Sequence, residues 1–242
     1  MKSIVLILAF SSFISYSQSC GCDHTITTSD SDVNGSSMSI NPGDVICIES
    51  GTRSRIKFRN FSGTETNPVT VINCGGQVDI QPTSFSYGIK IENCDYVNFS
   101  GTGDTSVEYG FKISNTTGYG MDIKKLTNHF ELDHFEFEET GNYAIYYLNE
   151  PLCDSSANFG VFTLEDVTIQ NSKFTNCHKG IRIGHPEFGI GVNNSSCGTV
   201  WPHAVENLSI TNIVFDTIGG GDAIRLYGTK GIITNNAISE VN

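Results

Sequence analysis

The chain has 242 residues, with 14 Lys and Arg against 26 Asp and Glu and a formal net charge of −12. That balance excludes the basic footprint that nucleic-acid binding needs, and it admits a polyanion only where the few cations gather on one surface. With 25 glycines and many Asn, Ser and Thr residues, the composition suits short elements joined by sharp turns.

Residues 1–17 read as a secretory signal: Lys2 gives the charged start, Ile4 to Ile14 the apolar stretch, and Ser15-Tyr16-Ser17 a cleavage site before Gln18. The run is short for a membrane span, and no second one follows, so the chain is expected to be secreted or at the cell surface with no membrane span. An acylated Cys20 is the alternative, but Ser17-Gln18-Ser19 is a poor context for it. Residues 18–50 are expected to form a cap, with a turn at Asn41-Pro42-Gly43-Asp44 and a strand from Val45 to Glu49.

From residue 51 to 242 a triplet of short strands recurs. Phe130-Glu131-Leu132, Phe135-Glu136-Phe137 and Ile145-Tyr146-Tyr147 are followed by Val167-Thr168-Ile169, Ser172-Lys173-Phe174 and Ile181-Arg182-Ile183. Leu208-Ser209-Ile210, Ile213-Val214-Phe215 and Ile224-Arg225-Leu226 repeat it again. The first-to-second step is constant at five residues (130 to 135, 167 to 172, 208 to 213), while the second-to-third step varies. Constant spacing with variable insertions marks a solenoid, whose units stack because none can bury its own apolar face. Extended backwards, the register places third strands at Ile56-Lys57-Phe58, Ile89-Lys90-Ile91 and Met121-Asp122-Ile123. First strands fall at Val69–Val71 and Val97–Phe99, and second strands at Val78–Ile80 and Phe111–Ile113. A last coil starts at Ile232 and ends uncapped, so the helix is expected to continue in a longer native chain, as a monomer.

Long insertions follow two consecutive third strands, Asn149 to Asp166 and Gly184 to Asn207. Cys153 and Cys197 lie in them and are expected to bridge, while Cys22 and Cys47 would staple the N-terminal cap. Cys74, Cys94 and Cys177 fall at three different corners and are expected to be buried thiols.

The segment Gly63-Thr64-Glu65-Thr66-Asn67-Pro68-Val69-Thr70-Val71, then Asn73-Cys74-Gly75-Gly76-Gln77-Val78, and later Gly180-Ile181-Arg182-Ile183-Gly184 carry a family likeness. They resemble secreted bacterial proteins of the pectate-lyase-like superfamily, nearest to alginate-lyase and chondroitinase-B-type enzymes. The resemblance implies an all-β fold, a right-handed parallel β-helix of three sheets and about six coils. It leaves activity open, because one fold hosts many functions.

The middle residues of the third strands form one outward column: Lys57, Lys90, Asp122, Tyr146, Arg182 and Arg225. Four of these six are basic in a chain with few cations, which suits a groove for an acidic, uronate-containing polysaccharide gripped through guanidinium forks. An ordinary solvated face neutralised by Asp222 or Glu187 accounts for the same residues. Lys90, Tyr146, His185, Trp201 and Tyr227 are the substrate-binding candidates, with Trp201 equally suited to lie under its own loop. In the lyases that the chain resembles, a Lys and an Arg move the proton and calcium neutralises the uronate carboxylate. Carried to this sequence, that implies Lys179 with Arg182 or Arg225 for the proton, and Asp122, Asn149, Glu150 and Asp222 for calcium. Two readings remain: a polysaccharide lyase acting by β-elimination, or a non-catalytic surface module that binds glycan or serves as a spacer.

Overall fold

Three-residue strands with apolar ends and a polar middle bury the ends and turn the middle outward, provided that neighbours pair in register. The computed structural model, which describes residues 20–148 and 163–242, has this arrangement. The fold is all-β with parallel sheets, and its one described helix is the single turn Gly35–Met38. A short sheet of seven parallel strands takes the third position of every unit: Asp32–Asn34, Ile56–Arg59, Tyr87–Glu92, Tyr119–Lys124, Tyr143–Tyr147, Lys179–Ile183 and Ile224–Leu226. A fourteen-stranded sheet takes the first and second positions.

The two arms of that long sheet meet in Val69–Ile80, a single strand where the sequence suggests two. Its first half pairs with Asp95–Ser100 and its second half with Phe111–Thr116. The bend between them is made by Gly75 and Gly76, with φ of 77° and 127°, and by buried Asn73, whose amide donates to the Gly76 carbonyl at 2.8 Å. Elsewhere the corners are taken by left-handed residues such as Asn171 and Asn212, a conformation that Asn tolerates. These two also stack, Asn212 Nδ2 donating to Asn171 Oδ1 at 3.2 Å.

The core is a continuous stack of strand-end residues. Phe111 faces Phe135 at 4.9 Å between ring centroids, and Phe137, Phe174 and Phe215 form a second ladder at 4.9 Å per step, joined to the first through Phe135 and Phe137 at 6.1 Å on one strand. Small residues stand before the third strands, because the backbones approach closely there. A Cβ on Gly180 would strike the Ala223 carbonyl and the Phe215 ring.

Three expectations are revised. The segment 18–50 does more than cover an end: His24–Ile26 pairs in parallel with Ile46–Ile48, and Asp32–Asn34 with Lys57–Arg59, so it lengthens both sheets. Cys74 is not a buried thiol but is bridged to Cys20, beside the Cys22–Cys47 bridge. Because Val69–Ile80 is continuous, Cys74 lies on its outward side and not at a buried corner. The insertion after Ile183 is not all loop, since Val192–Asn194 and Gly198–Val200 form an antiparallel hairpin. The expected Cys153–Cys197 pair cannot be placed, because Cys153 lies outside the described residues.

Cys94 and Cys177 are free and buried, and burial pushes the Cys94 thiol up to about 12 and raises that of Cys177. A maleimide should therefore label neither in the native protein and both after unfolding. Labelling of the native chain, read by peptide mapping, would mean that the strands open far more readily than this packing allows.

Candidate functional site: the outer face of the short sheet

Pairing in register stacks the third-strand middles into one column. Lys57 lies beside Lys90, Lys90 beside Asp122, Asp122 beside Tyr146, Tyr146 beside Arg182, and Arg182 beside Arg225. Not all of it is exposed: Asp122 is 4% and Tyr146 9% accessible, each covered by its neighbours. A second column stands three residues earlier in each strand, where Tyr87 pairs with Tyr119 and Tyr143 with Lys179. A third stands two residues later, where Arg59 pairs with Glu92 and Glu92 with Lys124.

The N-terminal half of the face is an ion network. Glu92 accepts from Lys57 at 2.8 Å, Lys125 at 3.0 Å and Lys90 at 3.3 Å. Asp122 lies 3.7 Å from Lys90 and 3.8 Å from Lys124. Burial pushes the Glu92 carboxyl up, but hydrogen bonds from Lys57 and Lys125 outweigh it and bring the value down to about 2. Glu92 therefore stays ionised across the ordinary pH range.

The C-terminal half is different. Arg182 has no carboxylate within ion-pair distance among the described residues. Its guanidinium carbon lies 5.7 Å from the Tyr143 ring, 5.2 Å from Tyr146 and 5.3 Å from Tyr227, a three-tyrosine setting for a cation. Its Nε is buried without a hydrogen-bond partner. Lys179 Nζ stands 5.2 Å over the ring of its register partner Tyr143. Tyr119 stacks on Tyr146 at 4.2 Å, which closes the aromatic patch. Burial, reinforced by Tyr119, pushes the Tyr146 phenol up to about 12, so it remains a neutral O–H group. Arg225, in contrast, is exposed and bound to Asp222 at 2.6 Å.

The face thus gathers Lys57, Arg59, Lys90, Lys124, Lys125, Lys179, Arg182 and Arg225 around four carboxylates, Asp32, Glu92, Asp122 and Asp222. Eight of the chain's 14 basic residues lie on this one surface of an acidic protein. Such local concentration is what recognition of a polyanion requires.

The remaining sequence candidates divide. Tyr146 and Tyr227 meet at Arg182, whereas Lys90 is already engaged by Glu92 and Asp122. The His185 Nδ1 accepts from the Glu187 amide at 3.1 Å within its own loop. Trp201 is half-buried beside Gly191 of the same insertion. Of the calcium set, Asn149 and Glu150 lie outside the described residues. Asp122 and Asp222 each hold a basic side chain already, and the strands of Tyr146 and Arg182 separate them. These two residues do not fit a shared calcium ion. The sequence reading missed Tyr119, Tyr143 and Glu92, although a constant offset from the middle column marks all three.

No protein-family model matches the chain, and no curated protein matches it. Among solved structures, the alginate lyase from Paenibacillus sp. str. FPU-7 superposes with a TM-score of 0.54 at 17% sequence identity. The match covers 88% of this chain and 65% of that one, so this chain spans less than two thirds of the neighbour's length. At that identity the likeness is one of fold, and the chain has a polysaccharide-lyase-like fold.

Proposed function

We propose that the chain is a secreted, right-handed parallel β-helix that binds an acidic polysaccharide across the outer face of the short sheet. The observation that carries this reading is Arg182, a half-buried cation set among three tyrosines with an unsatisfied Nε and no described carboxylate. A uronate carboxylate pairs with the outer guanidinium nitrogens, which hold no carboxylate of the described chain, and a pyranose ring packs on the partly exposed rings of Tyr119 and Tyr227. The alginate-lyase neighbour supports the substrate class. Two disulfides, and the lack among the described residues of any helix long and apolar enough to cross a membrane, fit an extracellular setting.

For β-elimination, Arg182 would bind the carboxylate and stabilise the charge that develops on it when the neighbouring proton leaves. Lys179, three residues earlier at the start of the same strand, is the candidate to take that proton. The electron pair then forms the C4–C5 double bond as the glycosidic C4–O bond breaks, and the leaving oxygen takes a proton from the Lys179 ammonium so formed or from water. Incubation with alginate, pectate and chondroitin tests both levels. Retention on an immobilised acidic polymer but not on a neutral one is the expected binding result. A rise in ultraviolet absorbance from the unsaturated product is the expected catalytic one. Retention with no rise would leave a binding module, and equal retention on neutral polymer would end the proposal.

A further inference from the structure

The ion network at the other end of the face is larger than its structural task requires. Three ammonium groups converge on Glu92, which is only 5% exposed, and Lys90 is shared with Asp122 at 3.7 Å, so Lys57, Lys90 and Lys125 still outnumber the two carboxylates that they face. Lys57 and Lys90 are direct register partners, an arrangement of like charges that costs stability. Both side chains are held at 21% exposure, with their charged ends fixed by the Glu92 oxygens. Lys125 is more accessible, at 55%. Crowded, pre-positioned cations on a protein of net charge −12 are the form of an anion site, and here a carboxylate of the chain itself sits in it.

We infer that Lys57, Lys90 and Lys125 form a second anion subsite for a carboxylate or sulfate group on the glycan, and that Glu92 occupies this subsite in the free protein. The inference rests on reading this face as the glycan-binding surface. Glu92 then acts as a specificity-determining residue. It screens the lysines from small anions, and a polymer displaces its hold on Lys90 and Lys125 only when other groups are bound at Arg182 at the same time. The subsite adds selectivity for polymers over single sugars, since one sugar cannot reach both centres.

The test compares Glu92→Gln with the unaltered protein by calorimetric titration with alginate oligosaccharides, which carry only carboxylates, and with dextran sulfate, which carries only sulfates. Removing a repelling charge from beside the incoming anion should tighten binding about tenfold at low salt, and less at high salt. Glu240→Gln, an equal charge change at an exposed C-terminal position, should leave affinity unchanged. Adding Lys57→Gln to Glu92→Gln should return affinity to within about threefold of the starting value. A gain with alginate alone assigns the subsite to carboxylates, and a gain with dextran sulfate alone assigns it to sulfates. Unchanged or weaker binding of both, or an equal gain from Glu240→Gln, overturns the inference while Arg182-dependent binding persists. Failure of the unaltered protein to bind either polymer overturns the underlying reading instead. If Glu92→Gln does not fold, as read by its thermal transition, Lys125→Gln replaces it. That variant should bind three- to tenfold more weakly, and unchanged affinity again overturns the inference.

Discussion

Arg182→Ala should weaken retention of an acidic polysaccharide at least about thirtyfold, the lower end of what truncating one side of a desolvated charge pair costs, ~2 kcal/mol. Arg225→Ala should change it by about threefold or less, because that side chain is exposed and already holds Asp222. The two arginines are register partners, each between two aliphatic residues, so their surroundings are what separate them. Arg182→Lys should recover part of the binding, since it keeps the charge but loses the two-pronged fork. The effect of Arg182 should shrink as salt is added. The thermal transition should not move appreciably, because the side chain lies outside the apolar core. Equal losses from both alanine variants, measured by affinity electrophoresis, would show that the face acts only through its summed charge.

Phe174→Ala should destabilise the fold by about 3–5 kcal/mol, a large share of the roughly 5–15 kcal/mol that a domain has. The ring is fully buried and contacts Phe137 on one side and Phe215 on the other, each at 4.9 Å. Alanine would leave a hole between two neighbouring strands and remove two aromatic contacts, each worth about 0.5–1.5 kcal/mol beyond burial. Lys173→Ala, one residue away on the outward side, should stay within about 0.5 kcal/mol. Urea denaturation measures both. A cost for Phe174→Ala no greater than for Lys173→Ala would mean that the strands are not stacked through this ladder.

Much of the architecture was legible in the residues. The positions of Ile56, Ile89, Met121, Ile145, Ile181 and Ile224 as aligned partners follow from the triplet spacing, because only one register buries both ends of every strand. Where that spacing was interrupted, the reading fell short. Residues 18–50 carry strands too short to show alternation, and the pairing of His24–Ile26 with Ile46–Ile48 became visible only in three dimensions. Cys74 was misplaced for the same reason: a corner was assumed where Gly75 and Gly76 allow one continuous strand.

Parallel pairing, the outward column and its excess of basic residues follow from the order of residues alone, since alternation and spacing are local properties. Which of those cations is left to meet a ligand follows from the folded arrangement. Glu92 lies two residues from Lys90 in the chain but 33 positions from Lys125, and it engages both. Asp222 closes on Arg225, while Tyr143 and Tyr146 from the strand on one side and Tyr227 from the end of the strand on the other close on Arg182. Charge counts add along a sequence, but whether a charge is neutralised depends on distances of a few ångströms between strands, and those exist only after the strands have paired.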